Sequence, residues 1–71
     1  MTNHDLSAKI GARIKSLRMK KNMTQHHLAL ECDFEKASMS RIESGKSNST
    51  IRTLQKICNV LNVHMGELFN E

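Results

Sequence analysis

Histidine and cysteine are the side chains of this sequence that could coordinate a metal ion or act as nucleophiles. Among the four histidines, only His26 and His27 are close together. Adjacent residues of a helix point about 100° apart, and no cysteine or acidic residue completes a tetrahedral ligand set with this pair. Cys32 and Cys58 form no CxxC motif, and both are interpreted as reduced core residues. We therefore predict no metal, no cofactor and no enzymatic activity.

Basic side chains are the second group that could do chemistry, here by binding anions. Eleven Lys and Arg face seven Asp and Glu, which gives a net charge of +4 at pH 7. This excess favours a polyanionic partner, with nucleic acid as the leading candidate. Two Phe and no Trp or Tyr leave almost nothing on which unpaired bases could stack. The composition therefore favours double-stranded over single-stranded nucleic acid.

The length and hydropathy of the chain predict one helical domain. A chain of 71 residues is enough for a single domain, whose core we place at about residues 6–70. Pro is absent and Gly occurs three times, so few positions are barred from a helix. No apolar run reaches the length of a transmembrane helix or resembles the hydrophobic region of a signal peptide. We expect a cytoplasmic protein.

Apolar spacing predicts the first two helices. An apolar residue recurs at spacings of three or four near the start of the chain, at Leu6, Ile10, Ile14 and Leu17. This stripe predicts an amphipathic helix over about residues 6–21. Asn22 can adopt the left-handed conformation that ends helices, and Thr24 is a suitable N-cap. A second helix is expected over residues 25–32.

The remaining pattern predicts three more helices and no strands. The third helix covers residues 36–44 and is followed by Gly45, where a helix C-terminus favours Gly. Ser49 or Thr50 caps a fourth helix, which ends at Asn62. The apolar stripe expected for the fourth helix consists of Ile51, Leu54, Ile57, Cys58 and Leu61. A last short helical turn contains the apolar residues Met65, Leu68 and Phe69.

Residues 25–43 are expected to form two helices that cross at a steep angle. Ala29 is small enough for a close approach of the two helices, and Asp33 can adopt the left-handed conformation needed at the turn. The residues expected to be buried between them are Leu28, Cys32, Phe34, Met39 and Ile42. The N-terminal half of the second helix in such a unit projects from the surface, where it can enter a major groove.

The sequence resembles the Cro/repressor-type, or XRE-like, helix-turn-helix family over about residues 8–70. The resemblance is carried by the segments Thr24-Gln25-x-x-Leu28-Ala29 and Ser40-Arg41-Ile42-Glu43-x-Gly45-Lys46. It implies an all-α, compact five-helix bundle of the lambda-repressor-like DNA-binding type, with helices 2 and 3 as the helix-turn-helix. Asp33 replaces a frequent Gly, and Glu35 replaces a frequent Ser or Thr. Glu35 either accepts a hydrogen bond from a cytosine amino group or contributes negative charge at the helix N-terminus.

The resemblance also implies which residues contact DNA. The base-reading positions of the third helix are Lys36, Ala37, Ser40 and Arg41. The fork of Arg41 matches the O6 and N7 acceptors of guanine, and the alternative is that it binds phosphate or pairs with an acid. Lys36 reaches guanine or phosphate. The residues expected to contact the DNA backbone are Gln25, Lys46, Ser47, Asn48 and Arg13.

Two further sets of residues are expected to have structural roles. One is an ion pair that the resemblance implies, and the other is an apolar dimer interface. Arg18 and Glu43 match a pair that is common in the family, and we expect this ion pair to fix the third helix on the first. High specificity needs a homodimer on two half-sites about 34 Å apart. The expected dimer interface consists of Val60, Val63, Met65, Leu68 and Phe69. The alternative is that these residues complete the core of the monomer.

These features predict a homodimeric transcriptional regulator that binds a pseudo-palindromic operator in double-stranded DNA and blocks or recruits RNA polymerase. It resembles phage Cro-like repressors and the autoregulatory controller proteins of restriction–modification systems. The alternatives are an antitoxin and a protein-interaction module with the same fold. An interaction module would be expected to lose its exposed basic residues, and this chain keeps Lys36, Arg41 and Lys46.

Overall fold

Four α-helices and one turn of 3₁₀ helix follow one another in the computed structural model, which describes residues 3–69. The α-helices are α1 (Asn3–Lys20), α2 (Gln25–Glu31), α3 (Lys36–Glu43) and α4 (Ile51–Leu61), and the 3₁₀ turn is Met65–Leu68. No strand occurs within residues 3–69. The predicted all-helical class is confirmed for this part of the chain, whereas the fifth predicted helix is only a single 3₁₀ turn.

Hydroxyl caps start two of the helices. The Thr24 hydroxyl accepts a hydrogen bond from the backbone N–H of His27 at 3.0 Å, so that α2 begins where the sequence predicts. The Thr50 hydroxyl accepts from the N–H of Thr53 at 3.1 Å, which assigns the cap of α4 to Thr50. Each cap satisfies one of the backbone donors that a helix N-terminus leaves without an intrahelical partner.

Left-handed residues end or join the helices at the predicted points. Asn22, Asp33 and Asn62 have φ angles of 57°, 61° and 57°. At the turn between α2 and α3, the N–H of Asp33 donates to the carbonyl of Leu30 at 3.1 Å, and the N–H of Phe34 donates to the carbonyl of Ala29 at 2.8 Å. Asp33 therefore replaces the frequent glycine without loss of the turn, since Asp tolerates this conformation better than most residues.

The core lies where all five elements meet, and it includes most of the predicted stripes. The largest fully buried side chains are Ile14, Leu28, Met39, Ile57, Leu61, Leu68, Cys32 and Cys58. Burial raises the pKa of both cysteine thiols, because the charged thiolate is penalised in an apolar environment. The two thiols are thus poor nucleophiles at neutral pH.

Two of the residues predicted in apolar stripes lie outside the core. Ile51 is 71% exposed and Leu6 is 38% exposed. Ile51 is the first residue of α4 and lies at the N-terminal end of its stripe. The prediction of buried side chains at these two positions was therefore wrong.

No helix within residues 3–69 combines the length and the apolarity needed to cross a membrane.

A glycine allows α1 to approach the C-terminal end of α3 closely. A Cβ atom added at Gly11 would lie 2.4 Å from the carbonyl oxygen of Ile42 and 2.6 Å from that of Glu43. Both atoms belong to the backbone, so the helices would have to separate to accommodate any other residue. The contact sets the distance between α1 and the helix that carries the candidate DNA-contacting residues.

Candidate nucleic-acid interface

One face of α3 carries all four residues predicted to read bases. Lys36, Ala37, Ser40 and Arg41 are exposed, and at about 100° per residue they span about 140° of the helix. The opposite face is buried, because Met39 is fully enclosed and Ile42 is 7% exposed. The helix is therefore held by its apolar face and presents a continuous polar face to solvent.

A buried ion pair anchors the C-terminal end of α3 to α1. The Nε of Arg18 donates to one carboxylate oxygen of Glu43 at 2.8 Å, and Nη2 donates to the other at 3.1 Å. Nη1 of the same guanidinium donates to the carbonyl of Met23 at 2.7 Å. Arg18 is 8% exposed and Glu43 is 7% exposed. A bidentate pair fixes direction as well as distance, so it orients α3 relative to α1 and to the segment before α2.

The side chain of Gln25 joins this ion pair. Its Nε2 donates to the Glu43 carboxylate at 3.2 Å, and the residue is half-buried at the first position of α2. The carboxamide of Gln25 is thus held by the ion pair of α1 and α3. The prediction that Gln25 contacts the DNA backbone remains a proposal, and the structure adds an internal role for its side chain.

The loop between α3 and α4 is fixed on both sides. The backbone N–H of Lys46 donates to the carbonyl of Arg41 at 2.9 Å. The hydroxyl of Ser7 in α1 donates to Oδ1 of Asn48 at 3.2 Å. Lys46 and Asn48 are exposed and Ser47 is half-buried. The loop residues predicted to contact the DNA backbone therefore lie directly after α3 in a restrained segment.

Arg13, which the sequence predicts to contact the DNA backbone, also makes a hydrogen bond within the molecule. Its Nε donates to the carbonyl oxygen of Glu67 at 2.8 Å, and this hydrogen bond joins α1 to the 3₁₀ turn. The turn packs on α1 and α4. The Nε of Arg13 therefore holds the C-terminal segment, and the prediction that Arg13 contacts the DNA backbone remains a proposal.

The predicted dimer residues differ in their exposure. Leu68 is fully buried in the monomer, so its assignment to an interface was wrong. Val60, Val63 and Met65 are half-buried and pack against the core, whereas Phe69 is 45% exposed. The surface available for a second copy at this end of the molecule is therefore centred on Phe69.

Lys56 is a residue that the sequence reasoning missed. Its ammonium group lies 5.5 Å from the centroid of the Phe34 ring, within the range of a cation–π interaction. Phe34 follows the left-handed turn, so this contact joins α4 to the start of α3. No spacing in the sequence connects these two residues, since the contact depends on how α4 packs.

Within the described residues, no group of three His, Cys, Asp or Glu could hold a metal ion.

A family model described as helix-turn-helix matches residues 14–68, which include α2, α3 and α4. The chain belongs to this helix-turn-helix family. Control protein C.BamHI of Bacillus amyloliquefaciens is 34% identical over 71 residues, which cover 99% of this chain and 86% of that protein. The family predicted from the two sequence segments is therefore confirmed.

Solved structures of helix-turn-helix proteins have the same fold. The restriction–modification controller protein C.AhdI from Aeromonas hydrophila superposes with a TM-score of 0.86 at 29% identity, over 92% of this chain and 97% of that one. The biofilm regulator SinR, solved in complex with DNA, superposes with a TM-score of 0.79 at 34% identity, over 86% of this chain and 98% of the SinR chain in that structure. One of these neighbours is a controller protein and the other is bound to DNA.

Proposed function

We propose that this helix-turn-helix protein is a sequence-specific transcriptional regulator that binds double-stranded DNA as a homodimer on a pseudo-palindromic operator. The observation that carries the proposal is the exposed polar face of α3, anchored from behind by the buried Arg18–Glu43 pair. A rigid helix with an exposed N-terminal half is the arrangement that enters a major groove in helix-turn-helix proteins.

Each exposed residue of α3 contacts a different group of the DNA. The guanidinium of Arg41 donates to O6 and N7 of guanine, and the ammonium of Lys36 reaches guanine or a phosphate. The methyl group of Ala37 packs on a thymine methyl, and the hydroxyl of Ser40 adapts to a donor or an acceptor. Lys46 and Asn48 in the restrained loop contact phosphates, which fixes the register of the protein but carries no sequence information.

The similarity to controller proteins favours a particular kind of regulator. C.BamHI is named a control protein, and C.AhdI is a restriction–modification controller. We infer that this chain acts in the cytoplasm as a controller or repressor of that type, and that its position on the operator blocks or recruits RNA polymerase. This inference favours a DNA-binding regulator over a protein-interaction module.

Binding to duplex DNA is expected to depend steeply on salt. If each bound dimer contacts about four phosphates, affinity falls by on the order of 10²-fold between about 50 and about 200 mM salt, because phosphate contacts release counterions. Lys46→Ala is expected to reduce the slope by about two, one contact for each subunit. Lys15→Ala, which removes the same charge from the solvent face of α1, is the matched control. Fluorescence anisotropy with random duplexes measures the affinity of the wild type and of both variants at each salt concentration. Binding that is absent or insensitive to salt would favour a protein-interaction module.

The homodimer is expected to depend on the surface centred on Phe69. Phe69→Asp replaces an exposed apolar side chain with a charged one and should convert the dimer to a monomer. The helical content should not change, since the residue lies outside the core. Leu30→Asp, at a 62% exposed position of α2, is the control and should leave the sedimentation unchanged. Analytical ultracentrifugation at tens of micromolar, with and without DNA, measures the result. A wild-type protein that remains monomeric in both conditions contradicts the proposal.

A further inference from the structure

The carboxylate of Glu35 is exposed at the start of α3 and has no part in capping that helix. Glu35 is the N-cap residue, with φ −71° and ψ 149°, and its backbone carbonyl accepts a hydrogen bond from the N–H of Met39 at 3.1 Å. Its side chain makes no capping hydrogen bond, unlike the hydroxyls of Thr24 and Thr50. The chain thus holds an acidic side chain at a position where a hydroxyl would stabilise the helix.

A carboxylate at this position has a cost for DNA binding. The proposed interface meets phosphates, and an exposed negative charge is repelled by them in every duplex, whatever its sequence. Within the described part of α3 and its cap, Glu43 is the other acidic residue, and its charge is buried in the pair with Arg18. Glu35 therefore weakens binding to all DNA except where a hydrogen-bond donor compensates.

The edges of the bases restrict which donor that can be. An ionised carboxylate only accepts hydrogen bonds. In the major groove guanine presents two acceptors and thymine presents one, while adenine presents its amino group beside the N7 acceptor. Cytosine presents the N4 amino group without an adjacent acceptor. Cytosine is therefore the base that a carboxylate matches best.

We propose, on the basis of the proposed function, that Glu35 selects cytosine at one base pair of each half-site by accepting a hydrogen bond from its N4 amino group. Lys36 follows directly, and its exposed ammonium reaches O6 and N7 of the guanine in the same or the neighbouring pair. Two adjacent side chains of opposite charge then read both strands at this position. Because Glu35 disfavours other sequences, it raises the ratio of specific to non-specific affinity.

Selection from a duplex library with randomised half-sites tests this assignment. Wild type, Glu35→Gln and Glu35→Ser are compared at the same salt concentration, and the bound duplexes are sequenced. Wild type is expected to enrich cytosine at one position of the half-site. Glu35→Gln should shift that position from cytosine towards adenine by about tenfold, because an amide matches the N6 and N7 groups of adenine. Preferences at the other positions should stay unchanged.

The serine variant and scrambled duplexes separate base reading from charge and capping. Glu35→Ser restores a hydroxyl cap, so it should remain folded by circular dichroism and lose the cytosine preference. Both variants should bind scrambled duplexes more tightly than wild type. If base preferences are the same at every position and all affinities change by a common factor, Glu35 acts only through its charge and the inference is overturned. If wild type binds no duplex at low salt, both this inference and the proposed function are overturned.

Discussion

Replacement of Arg18 by alanine is expected to lower the free energy of unfolding by about 3–5 kcal/mol. The substitution leaves the Glu43 carboxylate buried with only the amide of Gln25, at 3.2 Å, as a hydrogen-bond donor from a side chain. It also removes the donor to the Met23 carbonyl. Small domains have little stability to spare, so much of the Arg18→Ala protein should be unfolded. Denaturant titration followed by circular dichroism measures the loss.

A double variant distinguishes a stranded charge from lost packing. Arg18→Met combined with Glu43→Leu replaces both charges by apolar groups and should recover most of the stability, since well-packed apolar residues often substitute for a buried ion pair without loss. Lys15→Ala removes an exposed cation from the same helix and should change stability little. If Arg18→Ala cost less than about 1 kcal/mol, the range of exposed pairs, the ion pair would not be a main support of α3.

Local signals in the sequence were sufficient to place the boundaries of α2, α3 and α4, whereas α1 begins at Asn3 rather than at the predicted residue 6. Thr24 caps α2 through its own hydroxyl, and Asp33 and Asn62 end helices because they tolerate positive φ. Each of these effects involves groups within a few positions of one another. They can therefore be predicted before the path of the chain is known, and they set the directions of α2, α3 and α4.

Contacts between distant elements could not be predicted in the same way. Arg13 donates to the carbonyl of Glu67, and Lys56 lies over the ring of Phe34. Leu68 fills the core rather than a dimer surface. These outcomes depend on where the 3₁₀ turn and α4 pack, and a basic or apolar residue type alone does not reveal which neighbour it will meet.

The candidate site shows the same division. The exposed face of α3 followed from its periodicity, because Met39 and Ile42 point inward and leave Lys36 and Arg41 outside. The hydrogen bond from Gln25 to Glu43 could not be predicted from periodicity, since it requires the first turn of α2 to lie beside the last turn of α3. A motif thus identified the surface, while the packing determined which of its side chains remain available for DNA.

The largest effect on DNA recognition is expected at Arg41. The residue is exposed, and within residues 3–69 its guanidinium takes part in no ion pair. A bidentate contact to guanine contributes about 1–3 kcal/mol of discrimination, and a homodimer makes two such contacts. Arg41→Ala should therefore weaken binding to the preferred duplex by about 2–6 kcal/mol, or roughly thirtyfold to 10⁴-fold in affinity. Fluorescence anisotropy with a duplex selected by the wild-type protein measures the change.

Arg41→Lys separates the fork of the guanidinium from its charge. The lysine variant keeps the positive charge, so its affinity for scrambled duplexes and its salt dependence should stay close to those of wild type. It loses the rigid pair of donors and should lose most of the discrimination against a duplex in which the contacted guanine is replaced. If Arg41→Lys instead matched wild type on both duplexes, Arg41 would bind phosphate, and the reading of guanine would rest on Lys36.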